Sequence, residues 1–241
     1  MTEFKETRWS ERDYSGRYID AADIIVIERR RMIEIVKSFY RHNVLKKRQK
    51  TILDLGCGDG ILTHELLQLD GTLSATLIDG SDGMLERARE RLKDYRNVSF
   101  IKASFQELLS GEPELPSAIS LAVSSLAIHH LPLEEKRELF MIIHSHLESG
   151  GAFLNIDTTL SPTEDLEEWY IELWREWIDE RRKSLKAEGN YDEFISKYRE
   201  EAHYRNLDTL HDQLTSLREN GFRDVDCFYK YGMVALYGGK R

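Results

Sequence analysis

Cysteine is scarce in this chain of 241 residues, which contains two, Cys57 and Cys227. A disulfide framework needs more cysteines, and neither residue stands at a metal-ligand spacing from the other or from a histidine. We therefore expect two free thiols and predict no metal site.

Long apolar runs are lacking as well, since no stretch approaches the ~20 residues that a membrane-spanning helix needs. The opening residues, MTEFKETRWSERDYSG, are polar and lack the apolar centre of a signal peptide. The sequence therefore predicts a cytoplasmic protein with no membrane contact.

Positive charge is in deficit, with 34 Lys and Arg residues against 43 Asp and Glu residues and a net charge of −9. Enzymes that act on nucleic acids usually present a basic face, because contacts to phosphate supply most of their affinity. A basic cluster at residues 46–50 precedes the first predicted strand, and we interpret it as a solvated linker. A nucleic-acid partner is therefore not expected.

Apolar runs of strand length alternate with amphipathic helices along most of the chain. Helical periodicity covers residues 20–42, and the predicted strands that follow are 51–55, 73–78, 98–102, 119–124 and 152–157. Strands that alternate with helices at this spacing imply βαβ units and a parallel sheet with helices on both faces.

The pattern changes after Pro162, where residues 163–206 are charged and helical and contain no strand candidate. A helix over 207–220 follows, and then two strands over 223–230 and 233–237. The link between these two strands is too short for a parallel crossover, so we expect a closing antiparallel hairpin.

The sharpest local signal is the glycine-rich segment DLGCGDG, residues 54–60, which follows a strand and opens a helix. Glycines there let the backbone turn tightly and let a ligand approach where a Cβ would clash. A dinucleotide site would need Gly or Ala in place of Ile61, and the Asp54 carboxylate would repel a pyrophosphate. The same carboxylate suits a cationic ammonium group.

This segment resembles motif I of the class I S-adenosylmethionine-dependent methyltransferases of the small-molecule type. The family often has D-x-S-x-x-M-L after its second strand, and four residues here match it: Asp79, Ser81, Met84 and Leu85. Residues 98–105 resemble the third strand with its adenine-contacting loop, and residues 123–131 resemble the strand-four segment. The resemblance covers roughly residues 50–160 and the C-terminal strand pair.

The resemblance and the element order together imply a single α/β domain over residues 1–241. Its core is expected to be a Rossmann-like, seven-stranded, mostly parallel sheet with a C-terminal antiparallel hairpin. Residues 1–45 would form an N-terminal arm and helix, and residues 163–206 a helical lid inserted between strands 5 and 6.

The resemblance also implies S-adenosylmethionine as the cofactor and gives roles to particular residues. Asp79 is expected to accept hydrogen bonds from both ribose hydroxyls, with Asp54 near the amino group of the methionine part. The family usually has an aspartate facing the adenine amino group, and because Ser104 stands there, the backbone around it is expected to serve instead. The expected cofactor contacts are Asp54, Gly56, Cys57, Gly58, Asp79, Gly80, Met84, Ala103, Ser104, Phe105 and Ser124.

His129 and His130 are the candidate catalytic residues. Histidine titrates near neutrality, so either one could remove a proton from a methyl acceptor. The alternative is that one of them packs against the loop or hydrogen-bonds its backbone. The pair does not predict a metal site, because no third ligand has a recognisable spacing.

Aromatic side chains are the candidate acceptor contacts. Trp9, Tyr14 and Tyr18 precede the predicted first helix, and family members often fold such a segment over the cofactor. Trp169 and Trp177 recur at helical spacing in the insertion, where they form either a packing stripe or a wall for a cationic acceptor. We take Tyr14, Tyr18 and Trp169 as candidate substrate contacts.

The expected reaction is direct methyl transfer to a small-molecule acceptor by a monomer or a homodimer. The sulfonium already carries an activated methyl group, so the protein mainly aligns the reactants and excludes water. Two alternatives remain open. One is a non-catalytic S-adenosylmethionine-binding protein, and the other is transfer of a modified, carboxymethyl-type group to RNA, which needs a positive group near the transferred carboxylate.

Overall fold

The computed structural model describes residues 12–203 and 206–241, so Trp9 of the predicted arm lies outside the described residues. The strands are β1 Thr51–Leu55, β2 Ser74–Asp79, β3 Val98–Lys102, β4 Ile119–Ser125, β5 Leu147–Thr158, β6 Arg223–Tyr231 and β7 Val234–Lys240. The helices are α1 Arg12–Ile25, α2 Arg29–Asn43, α3 Ile61–Leu69, α4 Asp82–Arg91, α5 Phe105–Leu109, α6 Leu133–His146, α7 Glu164–Leu185, α8 Asp192–His203 and α9 Leu210–Glu219. A 3₁₀ turn covers Ile128–His130.

The seven strands form one sheet in the order β3-β2-β1-β4-β5-β7-β6. The neighbours from β3 to β5 pair in parallel, and β7 runs antiparallel to both β5 and β6. The predicted fold class, including the closing antiparallel hairpin, is confirmed. The strand order reverses between β1 and β4, and open α/β sheets bind their ligands at the carboxyl ends of the strands beside such a point.

Two apolar cores lie on the two faces of this sheet. Successive side chains of a strand point to opposite faces. In β1, Ile52 therefore joins the core beneath α1 to α4 and α7, whereas Leu53 and Leu55 join the core beneath α5, α6 and α9. Asp54 alternates onto the same face as Ile52, beneath the N-terminal helices.

The single helix expected over residues 20–42 is wrong, since α1 and α2 replace it. Residues 24–27 are four consecutive apolar side chains, which no single face of one helix can bury. Glu28 adopts a left-handed conformation with φ 51°, and the resulting turn buries all four side chains. Tyr14 and Tyr18, expected ahead of the first helix, lie within α1.

Helix α7 caps the C-terminal end of α1. The last carbonyls of a helix have no intrahelical donor. Here, α7 side chains spaced by three and four residues supply the missing donors. The bonds run from Trp174 Nε1 to the Ile25 carbonyl (2.6 Å), from Trp177 Nε1 to the Ile24 carbonyl (2.9 Å) and from Arg181 Nε to the Asp23 carbonyl (3.2 Å). These bonds hold the insertion against the N-terminal helix.

Trp174→Phe tests this cap, because the substitution keeps an aromatic ring and removes the N–H donor. We expect it to lower the free energy of unfolding by about 1–2 kcal/mol, since the Ile25 carbonyl is left buried without its donor. Urea denaturation measures the loss. Trp169→Phe is the matched control, because Trp169 is 56% exposed and a surface change there should stay within about 0.5 kcal/mol. Equal losses in the two variants would contradict the capping role.

Candidate functional site

A cleft of about 460 Å³ opens at the carboxyl ends of β1, β2 and β4. Among the residues that line it are Asp54, Gly56, Cys57, Gly58, Asp79, Gly80, Met84, Ala103, Ser104 and Phe105. The parallel strands bring these residues together, because their carboxyl ends meet at one edge of the sheet. The cleft thus assembles the expected cofactor contacts apart from Ser124, and their individual roles stay a prediction.

Ser124 does not reach the cleft. Its side chain is fully buried, and its Oγ donates a hydrogen bond of 2.7 Å to the carbonyl of Leu55. The neighbouring Ser125 lines the cleft instead. A shift of one residue along a strand moves a side chain to the opposite face, so this correction follows from the register of β4.

Two glycines of the loop have different roles: one allows a neighbouring loop to pack closely, and the other keeps the cleft open. Gly56 and Gly58 have φ values of 62° and 54°, a region that favours glycine. A Cβ on Gly56 would stand 2.3 Å from the Cβ of Ala127, so this glycine permits close packing of two loops. A Cβ on Gly58 would meet nothing nearer than Ile19, at 3.8 Å, so Gly58 leaves the cleft open.

Asp79 ends β2 and is held by two backbone donors. Its Oδ2 accepts from the N–H of Gly58 at 2.9 Å, and its Oδ1 accepts from the N–H of Ser81 at 2.8 Å. Burial raises the pKa of Asp79, and these two bonds oppose the rise. An ionised carboxylate has about four acceptor sites, so this side chain retains capacity for two further donors.

Asp54 lies deeper, with 1% of its surface exposed. Its Oδ2 accepts a hydrogen bond of 2.6 Å from the hydroxyl of Thr63. Burial raises the pKa of Asp54 to about 7, the bonds from Thr63 oppose the rise, and the charges of Asp79 and Asp59 add to it. The carboxyl is therefore poised between its two protonation states near neutral pH.

Asp54 should make the stability of the ligand-free protein depend on pH. Its folded-state pKa of about 7 lies above the ordinary 3.8, so between these values the folded state binds the proton more tightly than the unfolded chain. The free energy of unfolding then falls as pH rises. Between about pH 5 and about pH 8 we expect wild type to lose about 2 kcal/mol or more relative to Asp54→Asn, which has no such proton. Urea denaturation at both pH values measures this, and parallel behaviour of the two proteins would refute it.

The loop expected to contact adenine places Ser104 at the start of helix α5, which the sequence did not predict. Ser104 caps α5, since its Oγ donates to Glu107 Oε2 at 2.8 Å and accepts from the N–H of Glu107 at 3.2 Å. The backbone N–H of Ser104 also donates to that carboxylate, at 2.7 Å. Gln106, which lines the cleft at the second position of α5, offers both an amide donor and an acceptor. Sequence reasoning missed this residue because α5 was not expected.

A second cavity of about 80 Å³, named here the side chamber, adjoins the cleft. Its lining residues are Tyr14, Tyr18, Ile25, Val26, Leu126, His129, His130, Thr158, Trp174, Phe194, Tyr198, Met233 and Val234. Tyr18 and His130 line both spaces, whereas Tyr14 and His129 line the side chamber alone. Four of the predicted acceptor and catalytic residues therefore lie together.

Trp169 is not among them. It lines neither space, is 56% exposed and stands with its ring 5.5 Å from that of Tyr170. The inward face of α7 carries Trp174 instead, because five positions along a helix turn a side chain well away from the first. The expected role of Trp169 as a substrate contact is corrected accordingly.

Arg29 is a further cleft residue that sequence reasoning missed. It stands at the start of α2, and its guanidinium pairs with Asp23 at 2.9 Å. In the single helix expected over residues 20–42, Arg29 would lie outside the apolar face and point to solvent. The turn at Glu28 directs Arg29 to the cleft, and nothing in the local sequence announces that turn except the apolar run before it.

The basic cluster at residues 46–50 is partly neutralised by acidic neighbours. Lys47 pairs with Glu148 at 2.6 Å, and Lys50 pairs with Asp70 at the same distance.

Both cysteines are free thiols, and burial raises the pKa of Cys57 well above its usual range. In the described part of the chain no three His, Cys, Asp or Glu side chains are grouped to hold a metal ion. None of the described helices has the length and apolarity needed to cross a bilayer.

Comparisons with known proteins agree with this geometry. A family model described as a methyltransferase domain matches residues 52–151. A carboxy-S-adenosyl-L-methionine synthase from Nautilia profundicola is 23% identical over 209 residues, which are 85% of this chain and 80% of that protein. A malonyl-[acyl-carrier protein] O-methyltransferase from Halalkalibacterium halodurans is 34% identical over 109 residues, which are 45% of this chain and 39% of that protein.

Among solved structures, an O-methyltransferase family protein from Burkholderia thailandensis superposes with a TM-score of 0.64 at 16% identity. The superposition covers 99% of this chain and 64% of that one, so the chain spans less than two thirds of the length of that protein and of the malonyl relative. Three observations agree on a methyltransferase fold: the strand order, the glycine loop with its two strand-end carboxylates, and the family match over residues 52–151. The chain is therefore similar to the class I S-adenosylmethionine-dependent methyltransferases in its fold and over residues 52–151.

Proposed function

We propose that the protein transfers the methyl group of S-adenosylmethionine to a small-molecule acceptor that enters the side chamber. The observation that carries this proposal is the pair of carboxylates, Asp54 and Asp79, which end neighbouring strands and line one cleft on either side of a glycine turn. In the proposal, Asp79 accepts from the two ribose hydroxyls, and Asp54 faces the ammonium group of the methionine part. Gln106 would meet the adenine.

Arg29 completes the charge pattern expected for the methionine end. An amino acid at neutral pH carries one positive and one negative group, so its site needs a charge of each sign. Asp54 and Arg29 line the same cleft and supply the two charges. The Arg29 guanidinium has five donors and uses one of them on Asp23, so it can also bind a carboxylate.

The cofactor supplies the activated methyl group, and the chain supplies alignment and a dry reaction space. Holding acceptor, methyl carbon and sulfur in line can account for ~7–11 kcal/mol of the barrier. We propose that α7 and α8 form the lid and that Tyr14 and Tyr18 of the N-terminal arm wall the acceptor. His129 and His130, at the end of β4, are the proposed sources of proton transfer.

Calorimetric titration and methyl transfer test the proposal together. We expect S-adenosylmethionine to bind with one-to-one stoichiometry and NAD to leave the thermal unfolding midpoint unchanged. Methyl-labelled S-adenosylmethionine incubated with the protein and a small-molecule cell extract should yield labelled small molecules. Binding without transfer would favour a non-catalytic binder, and stabilisation by NAD would reject the methyltransferase assignment of the cleft.

A second candidate is the handling of a sulfonium that carries an extra carboxylate. The relative from Nautilia profundicola bears the name of a carboxy-S-adenosyl-L-methionine synthase, and Arg29 is a cation that lines the cleft of this chain. Mass spectrometry of the nucleoside retained by the purified protein discriminates, because a carboxylated ligand is heavier by one carbon dioxide. The paired lysines of the cluster at residues 46–50 give no support to RNA as the acceptor.

A further inference from the structure

The side chamber and the cofactor cleft share one wall, and this wall locates the reaction. Tyr18, Val26, Leu126 and His130 line both spaces. Leu126 has a left-handed φ of 54°, and this turn leads from β4 into the 3₁₀ turn that carries the two histidines. If the cofactor occupies the cleft, as the proposed function requires, an acceptor in the side chamber meets it across this wall.

The side chamber has a definite chemical character. Among the described residues that line it there is no Lys, Arg, Asp or Glu, and five are aromatic: Tyr14, Tyr18, Trp174, Phe194 and Tyr198. Arg29 lines the cleft rather than the side chamber and is paired with Asp23. A carboxylate or phosphate placed in the chamber would therefore be buried without a cation from these side chains, which is costly.

His129 lines the chamber, and its ring is held by a buried carboxylate. Its Nδ1 lies 2.5 Å from Oδ1 of Asp157, which is 2% exposed. A carboxylate can only accept hydrogen bonds, so Nδ1 carries the proton and the lone pair of the neutral ring lies on Nε2. A base whose second nitrogen is fixed by a third group is the arrangement by which proteins orient an imidazole for proton removal.

Asp157 is itself fixed by a chain of hydrogen bonds across the sheet. Its Oδ2 accepts from Asn155 Nδ2 at 3.1 Å, and the same amide donates to the hydroxyl of Tyr237 at 2.8 Å. That hydroxyl donates to Gln213 Oε1 at 3.2 Å. The backbone N–H of Thr158 adds a bond of 3.0 Å to Oδ1 of Asp157. The carboxylate behind His129 therefore has little freedom to turn away.

We propose that the acceptor presents a hydroxyl or an amine without a negative charge at its reacting end, and that His129 is the base that takes its proton. Nε2 of His129 accepts the proton from the O–H or N–H. The freed lone pair forms the bond to the methyl carbon, and the carbon–sulfur pair returns to sulfur, which loses its positive charge. The imidazolium then releases its proton to solvent. Asp157 is a positioning residue in this step.

The choice between protic and carboxylate acceptors rests on what each one needs. A carboxylate arrives already deprotonated, so it needs no base, but it needs a cation to replace its water. A hydroxyl or an amine needs a base and no cation. The chamber offers an oriented imidazole and no Lys or Arg among its described lining residues. Its volume of about 80 Å³ is about half that of an engineered cavity that holds benzene, so the reacting end of the acceptor is small.

The first test reads the kind of bond formed, without knowledge of the acceptor. Methyl-labelled S-adenosylmethionine is incubated with the protein and a small-molecule extract, and the labelled products are treated with alkali. Methyl esters release their label as volatile methanol, whereas ethers and methylamines keep it. We expect the label to stay non-volatile, with binding to a cation exchanger at neutral pH separating amines from ethers. Label released as methanol would overturn this inference alone, and absence of transfer would overturn the proposed function with it.

The second test uses His129→Gln, Asp157→Asn and the control His64→Gln. His64 lies on α3 and lines neither the cleft nor the side chamber. We expect His129→Gln to lower the transfer rate by ~100-fold or more, with the affinity for S-adenosylmethionine within about twofold of wild type and the control unchanged in both. A rate within about threefold of wild type in His129→Gln would overturn the assignment.

The pH–rate profile separates positioning from general support of the fold. The titratable groups that face His129 are Asp157 from β5, His130 from the same turn, Tyr14 and Tyr18 from α1, and Tyr198 from α8. Loss of the negative charge in Asp157→Asn makes the protonated imidazole less stable. The ascending limb of the profile should therefore move to lower pH while the maximal rate falls. A lower rate with an unmoved limb would contradict the role of Asp157.

Discussion

Replacing Asp79 by Ala is expected to weaken the binding of S-adenosylmethionine by about 100-fold or more. The proposed role gives this carboxylate two hydrogen bonds from ribose hydroxyls, and a bond to a charged acceptor contributes about 1.5–3 kcal/mol. The loss of two such bonds therefore amounts to ~3 kcal/mol or more, or about two powers of ten in the dissociation constant. The substitution also releases the N–H groups of Gly58 and Ser81, so the glycine loop loses the acceptor that shapes it.

Isothermal titration calorimetry measures this effect, and Asp82→Ala is the matched control. Asp82 stands three positions further along the same segment, is largely exposed, pairs with Lys102 and does not line the cleft. We expect its affinity to stay within about twofold of wild type, because an exposed ion pair of this kind contributes little. Unchanged affinity in Asp79→Ala, with the thermal midpoint retained, would remove the ribose assignment.

Replacing Lys136 by Met is expected to lower the free energy of unfolding by about 3–5 kcal/mol. Lys136 is 1% exposed, and its Nζ donates to Oδ2 of Asp208 at 2.5 Å and to the carbonyl of Asn206 at 2.6 Å. Met has a similar length but no charge, so the variant leaves a largely buried carboxylate without its cation. Breaking one side of a buried pair costs more than the intact pair contributes, because the remaining charge is desolvated.

The double variant Lys136→Met with Asp208→Asn gives this prediction its control. Removing both charges should recover part of the loss, because no buried charge is then left unpaired. Arg175→Met, which breaks an exposed pair with Glu172, should leave the urea midpoint unchanged. If the single and double variants unfold at the same urea concentration, the argument that an unpaired buried charge destabilises the fold is wrong.

Asn206, whose carbonyl accepts from Lys136, lines the cleft, so the single variant should also bind the cofactor more weakly.

The cofactor loop was predictable because its signals are contiguous in the chain. The segment at residues 54–60 and the segment at residues 79–85 each carry their glycines and carboxylate within seven positions. Each also follows a buried strand, and the ends of parallel strands meet at one edge. The sequence could not predict the full burial of Asp54, the partial burial of Asp79 or the resulting rise in their pKa values, because these depend on the helices that cover the two carboxyl groups.

The acceptor side was less predictable because its partners are distant in sequence. The bond between His129 and Asp157 joins residues 28 positions apart, and that between Lys136 and Asp208 joins residues 72 apart. Composition and periodicity carry no information on such pairs. Trp169 and Trp174 show the same limit, since both stand in one amphipathic helix and only the packing against α1 decides which of them turns inward.

Taken alone, the order of residues determined the class of fold, the position of the glycine turn and the two acidic strand ends that flank it. Each of these follows from local periodicity or from a short motif, and backbone sterics translate both directly into structure. Tertiary structure decided the break between α1 and α2, the register that places Ser125 instead of Ser124 at the cleft, and the aromatic chamber around His129. These features depend on how elements that are distant in sequence pack together, because that packing decides which apolar surfaces are buried and which buried polar groups find partners.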